Sequence, residues 1–256
     1  MVMERSGSSY TAFVVLLLSL LSVSLHADAA PVILVDQSHD QRFLVEKDEP
    51  LHLSGFAAVM KEEGFTVRTG STSLSDETLL DVDALAISGP FKEISPQEAD
   101  VVTRFLERGG KLVVMIHIGP PFSELFRRID VDFTNFVLGE QENIIDGDPK
   151  NFQVKKLADH PLFTGLTHFS LYGGWALVNT AENSRIIAST SSRAWVDFNG
   201  DKILSKGDIV QVFGVVVAGK LGAGRFVVFG DDAIFQNKFL DDSNRQLAIN
   251  LARWLR

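Results

Sequence analysis

The chain has 256 residues, a formal net charge of −9 and no cysteine. No run of Lys and Arg interrupts that acidity, which excludes a nucleic-acid footprint and a polybasic membrane contact. The missing cysteine excludes disulfides, thiolate metal sites and a Cys nucleophile. A hydrophobic fraction of 45% in a chain of this length is enough to bury a full core without covalent staples.

Residues 1–29 predict a removable signal peptide. Arg5 and the terminal amine form a weak positive start, and an apolar run follows from Phe13 through Leu25. That run is shorter than the roughly 20 apolar residues that span a bilayer. Ala27 and Ala29 fit the small-x-small cleavage rule, so the mature chain is expected to begin at Ala30 or Pro31. An uncleaved anchor is the alternative. The expected location is periplasmic or secreted, with no membrane span after cleavage.

Residues 31–35 form a continuous β-branched run, the pattern of a strand covered on both faces. A polar loop, residues 36–42, follows. A helix is predicted over 51–63, stopped by Gly64, and then a strand over 65–68. Residues 83–88 read as a third strand. Ser95, Pro96 and Glu98 spell a capping box that opens a helix running to Arg108, and a fourth strand is predicted over 111–117. This alternation implies a doubly wound, mostly parallel sheet in a three-layer α/β fold. Residues 133–207 break the rhythm with short β-like pieces and read as an irregular β-rich insertion within one domain spanning 30–256. Two hairpin-paired strands are predicted over 209–218 and 222–230, then a C-terminal helix over 242–255 that carries Leu247, Ile249, Leu251, Trp254 and Leu255, most of them on one stripe.

In open parallel sheets, ligands bind beyond the carboxyl ends of the strands. Four loops should meet there, bringing Asp36, Ser38, His39 and Arg42 into one cleft with Gly89, His117, Asp231 and Asp232. A His39 within hydrogen-bond reach of Asp231 or Asp232 would have its charge state tuned by them. One reading of this set is a carboxylate–histidine hydrolytic or metal site. The other is that each Asp caps a turn and each His satisfies a local backbone group. The three glycines of 219–224 have no dinucleotide-binding order, and neither a G-x-S-x-G elbow nor an H-E-x-x-H helix is present.

Three stretches resemble the class I glutamine amidotransferase-like superfamily: residues 33–43, the strand–helix–strand unit of 83–114, and residues 222–232 with the polar positions Asn237, Asp241, Asp242 and Asn244 that follow. The similarity is to its uncharacterised bacterial and archaeal members, which are related to accessory domains of gliding-motility-type ABC transport systems and to an intraflagellar transport N-terminal domain. The resemblance implies a flavodoxin-like strand order. It also implies that the turn after the fourth strand should hold a Cys nucleophile. That turn reads Ile116-His117-Ile118-Gly119-Pro120-Pro121, with no Cys or Ser and two residues that lack an N–H. Amidotransferase chemistry is therefore not expected. The leading expectation is a non-catalytic binding or assembly module with no cofactor and no metal, whose partner is a periplasmic protein or small ligand. The alternatives are a periplasmic hydrolase, metal-assisted or acting on carbohydrate, that uses Asp36 and His39, and a sugar-binding module for which Tyr172, Trp175 and Trp195 would supply aromatic surface.

Overall fold

A computed structural model describes residues 1–2 and 29–256. The signal-peptide expectation falls on residues that lie, apart from the two ends of that stretch, outside the described ones. The first half of the chain runs β1 (Val32–Asp36), α1 (Ser54–Glu62), β2 (Thr66–Gly70), β3 (Ala84–Ser88), α2 (Pro96–Glu107), β4 (Lys111–Met115) and α3 (Ser123–Arg128). The middle contributes β5 (Val131–Gly139), β6 (Ile144–Ile145), β7 (Asp148–Val154), β8 (Lys156–Leu157), β9 (Phe169–Tyr172), β10 (Trp175–Asn179), β11 (Ser184–Ser189) and β12 (Trp195–Val196). The chain closes with β13 (Ile209–Val210), β14 (Gly214–Leu221), β15 (Gly224–Phe229) and α4 (Asp242–Leu255).

Strands β2, β1, β3, β4 and β15 lie side by side and parallel, in the flavodoxin-like order. Beyond β15 the sheet continues antiparallel through β14, β10, β5, β12 and β13. The irregular middle therefore builds one half of the main sheet, and β6, β7 and β9 form a separate three-stranded sheet.

The parallel strands read as unbroken apolar runs because each face has its own helices. Ile33, Val35, Ala84, Ala86, Val113 and Met115 pack with Phe56 and Met60 of α1 and with Leu247 and Leu251 of α4. The alternate residues Leu34, Leu85, Ile87, Leu112 and Val114 pack with Val102, Phe105 and Leu106 of α2 and with Leu125 and Phe126 of α3. Each large apolar side chain so enclosed contributes about 1.5–3 kcal/mol relative to exposure.

Local signals explain the boundaries. Both hydrogen bonds of the Ser95–Glu98 capping box form at the start of α2. Gly64, at φ +91°, ends α1 in the left-handed region where a side chain is costly. Helix α1 starts at Ser54, later than the predicted 51, because residues 51–53 turn instead, with the Leu53 amide bonded to the Leu44 carbonyl. The single strand predicted over 209–218 is two. Residues 211–213 leave the ladder to bond Ala194 and Thr190, and β14 begins at Gly214, where a Cβ would sit 2.7 Å from the Leu177 carbonyl oxygen.

Candidate functional site

Asp36 ends β1, Gly89 follows β3, His117 lies two residues past β4 and Asp231 two past β15. All eight sequence-predicted residues thus stand at the carboxyl edge of the parallel strands. Backbone bonds tie their loops together. The Phe91 and Lys92 amides donate to the His39 carbonyl, the Gly89 amide to Met115, and the Asp232 amide to Ile116.

The side chains divide into two constellations. In the first, Asp36 is buried and organises its own loop. Its Oδ1 accepts the Ser38 amide at 3.1 Å and the Ser38 hydroxyl at 2.7 Å, and its Oδ2 meets His39 Nδ1 at 2.7 Å. His39, only 1% exposed, places Nε2 3.2 Å from Glu98 Oε1. Burial alone would lower the His39 pKa. The hydrogen bond to Asp36 and the charges of Asp36 and Glu98 outweigh burial and hold it above 6.5. Glu98 feels burial first. Its bonds to Ser95 and its attraction to His39 prevail and hold it below 4.5. Asp36, His39 and Glu98 therefore form an enclosed carboxylate–imidazolium–carboxylate bridge between the β1 loop and the start of α2.

This corrects the expectation that His39 faces the shared cleft. His39 turns inward to Asp36 and Glu98 rather than facing Asp231 or Asp232. Asp40, at φ +57°, reverses the chain just after it, and the His39 amide bonds Gln41 Oε1 at 2.7 Å. Glu98 escaped sequence reasoning because the capping box already accounted for it.

The second constellation is built on His117 and Asp232. His117 Nδ1 lies 3.1 Å from Asp232 Oδ1, with the imidazole side chain 38% exposed and the carboxylate 2% exposed. The hydrogen bond to Asp232 raises the His117 pKa against the opposing effect of burial. Asp232 Oδ2 is buried and has no hydrogen-bond partner among the described residues. Gly89, at φ +49°, makes room for it, since a Cβ there would lie 2.6 Å from that oxygen. The His117 ring is flanked by Phe43 and Phe91, with centroids 5.1 and 5.3 Å away, and the Arg42 guanidinium covers Phe91 at 4.0 Å. Phe43 and Phe91 were not among the predicted site residues. Their positions beside Arg42 and after Gly89-Pro90 were the available signal.

Asp231 behaves as the cap-like reading expects. Its oxygens accept the Tyr172 amide at 2.6 Å and the Ala233 amide at 2.8 Å. Burial, and then the charge of Asp232, push it up to about 8. Asp232 makes no such cap. Burial raises its pKa, while His117 opposes the rise. Chemically, the second constellation offers an oriented, solvent-facing imidazole and an exposed guanidinium in an aromatic frame. Among the described residues, no group of three or more His, Asp or Glu is placed to hold a metal ion, and no helix is long and apolar enough to cross a membrane.

The profile of a protein family described as a domain of unknown function, DUF4350, matches residues 47–252. The chain belongs to the DUF4350 family. The matched span contains His117, Asp231 and Asp232 and begins after the Asp36 loop. No curated protein matches the chain. Among solved structures, the DUF4350 chain is similar to the mmIFT52 N-terminal domain, with a TM-score of 0.67 and 16% identity over 87% of this chain and 96% of that one. It is similar to a protein described as ThuA-like from Bacteroides uniformis ATCC 8492, with a TM-score of 0.50 and 15% identity over 88% and 92% of the two chains. A Thermoplasma acidophilum protein described as one chain of a GMP synthase matches with a TM-score of 0.51 and 11% identity over 88% and 94%. These likenesses show a fold shared with ThuA-like and amidotransferase-like proteins.

Proposed function

We propose that the protein is an exported, non-catalytic binding or assembly module on a degenerate amidotransferase-like fold, and that its binding site is the strand-end surface around His117, Arg42 and Phe91. The observation that carries this reading is the turn after β4. Where the superfamily places a Cys nucleophile, this chain has His117, followed by Pro120 and Pro121, which cannot donate an N–H to an oxyanion. Ser88, the hydroxyl at the end of β3, is 2% exposed and out of reach of a substrate in solution. Export rests on the pattern of residues 1–29. Similarity to accessory domains of gliding-motility-type transport systems favours an assembly role.

The hydrolase alternative rests on Asp36 and His39. Both ring nitrogens of His39 are engaged by buried carboxylates, which leaves no free base there and counts against it. The test has two arms. Chemical shifts of the purified protein, followed while a fragment library is titrated, should move at Arg42, Phe91 and His117. A panel of chromogenic esters, phosphoesters and glycosides should show no turnover. Turnover abolished by His117→Ala or His39→Ala would overturn the proposal.

A further inference from the structure

A cavity of about 320 Å³ opens at the opposite edge of the sheet, lined by Arg185, Lys220, Arg225, His160, Trp254 and Ser184. Arg225 is the second residue of β15 and Asp231 follows its end, so six residue steps, about 20 Å, separate this cavity from the His117 site. The volume is in the range that holds small molecules.

Its positive charges converge on one face. Arg185, Lys220 and Arg225 share one face of three neighbouring strands, because Lys220 stands directly opposite Arg225 and Arg185 opposite Ala218. Like charges in direct opposition destabilise a strand pair unless something lies between them. Elsewhere Arg42, Arg68, Arg193 and Arg256 form no ion pair among the described residues, while Arg104, Arg108, Arg127, Arg128, Arg245 and Arg253 each meet a carboxylate. Among the described residues none of the three cavity cations does. Glu182 is the one carboxylate in the lining, and it forms no ion pair there. Arg185 reaches only the Asp159 carbonyl, at 3.4 Å.

The hydrogen-bonding pattern points the same way. Five buried side-chain polar atoms lack a partner among the described residues, and three of them, Arg225 Nε, Asn183 Oδ1 and Ser184 Oγ, belong to residues of this lining. The Arg225 guanidinium lies 4.9 Å from the Trp254 ring centre, which fixes its plane without neutralising it. Burial with no compensating anion lowers the Arg225 pKa. A buried donor left unpaired costs free energy, and a fixed guanidinium is pre-organised for a multi-oxygen anion.

We propose that this cavity binds a small phosphate monoester, its phosphoryl oxygens held by Arg225, Lys220 and Arg185. The site is separate from the His117 surface and stands or falls independently of the function proposed there.

Calorimetric titration of the purified protein with glycerol 3-phosphate, with inorganic phosphate and succinate as comparison anions, tests the proposal. Glycerol 3-phosphate should bind with a Kd of about 1 mM or tighter and raise Tm, and Arg225→Met and Lys220→Ala should each weaken binding at least about tenfold. Without ligand, Arg225→Met should be as stable as the parent or more so, since it removes an enclosed Nε–H that has no partner among the described residues. Strong destabilisation by Arg225→Met would show the guanidinium to be structural and overturn the proposal. So would binding undiminished in Lys220→Ala, absence of binding at about 10 mM ester, or tighter binding of succinate than of the ester.

Discussion

A histidine held between two carboxylates at 2.7 and 3.2 Å keeps its proton far more firmly than one facing water. Removing His39 would leave the buried Asp36 uncompensated, so His39→Ala should cost about 3–5 kcal/mol in urea unfolding. Conservative loss of the second contact in Glu98→Gln should cost less. The sign of the pH dependence follows from the same groups. His39 and His117 have folded pKa values above 6.5, so their contributions are complete below 6.5 and are lost as pH rises through the folded values. Asp231, held protonated up to about 8 against 3.8 in the unfolded chain, retains a proton that the unfolded chain has released, so stability also falls with rising pH across that window. Glu98 contributes above 4.5 and loses its contribution as pH falls through its lowered value. Unfolding free energy should therefore fall as pH rises above 4.5 and be smaller at about pH 8 than at about pH 6. A rise over that interval would contradict these assignments. At this scale, the strand-end positions of these residues were legible in the sequence, but the inward turn of His39 was not. The contact with Glu98 joins positions 59 residues apart and carries no local pattern.

The elements were more legible, because their signals are local. The capping box, the stop at Gly64 and the alternating packing of the parallel strands all follow from short-range rules. Ser95→Ala should remove the cap of α2 at a cost of about 1 kcal/mol, read by thermal or chemical unfolding, and should also loosen Glu98. Gly89 makes a sharper test, because it serves both the backbone and the site. Gly89→Ala places a Cβ 2.6 Å from Asp232 Oδ2 at φ +49°, so it should cost about 1–3 kcal/mol and move the carboxylate off His117. The His117 pKa should then fall toward 6.5. Unchanged stability and an unchanged His117 titration would show that the close approach constrains nothing. The antiparallel half of the sheet was the least legible part. Strands β5, β10 and β14 pair across long sequence separations with bulges, and β12 and β13 are two residues each.

Across the whole molecule, the α/β scaffold supports two separate surfaces at opposite edges of one sheet. The proposed export predicts an N-terminus at Ala30 or Pro31 in mass spectrometry of the purified protein, and an intact Met1 in the soluble fraction would count against cleavage. In the proposed arrangement the strand-end site is built on a solvent-facing His117 oriented by Asp232, with His39 locked between Asp36 and Glu98. Long-range proton–nitrogen correlation spectra of histidine-labelled protein test this most directly. His39 should show both ring nitrogens protonated at about pH 6 and titrate above 6.5, and His117 should titrate above 6.5 in the parent and nearer 6.5 in Asp232→Asn. A His39 that titrates like a free imidazole, or a His117 titration indifferent to Asp232→Asn, would contradict the account.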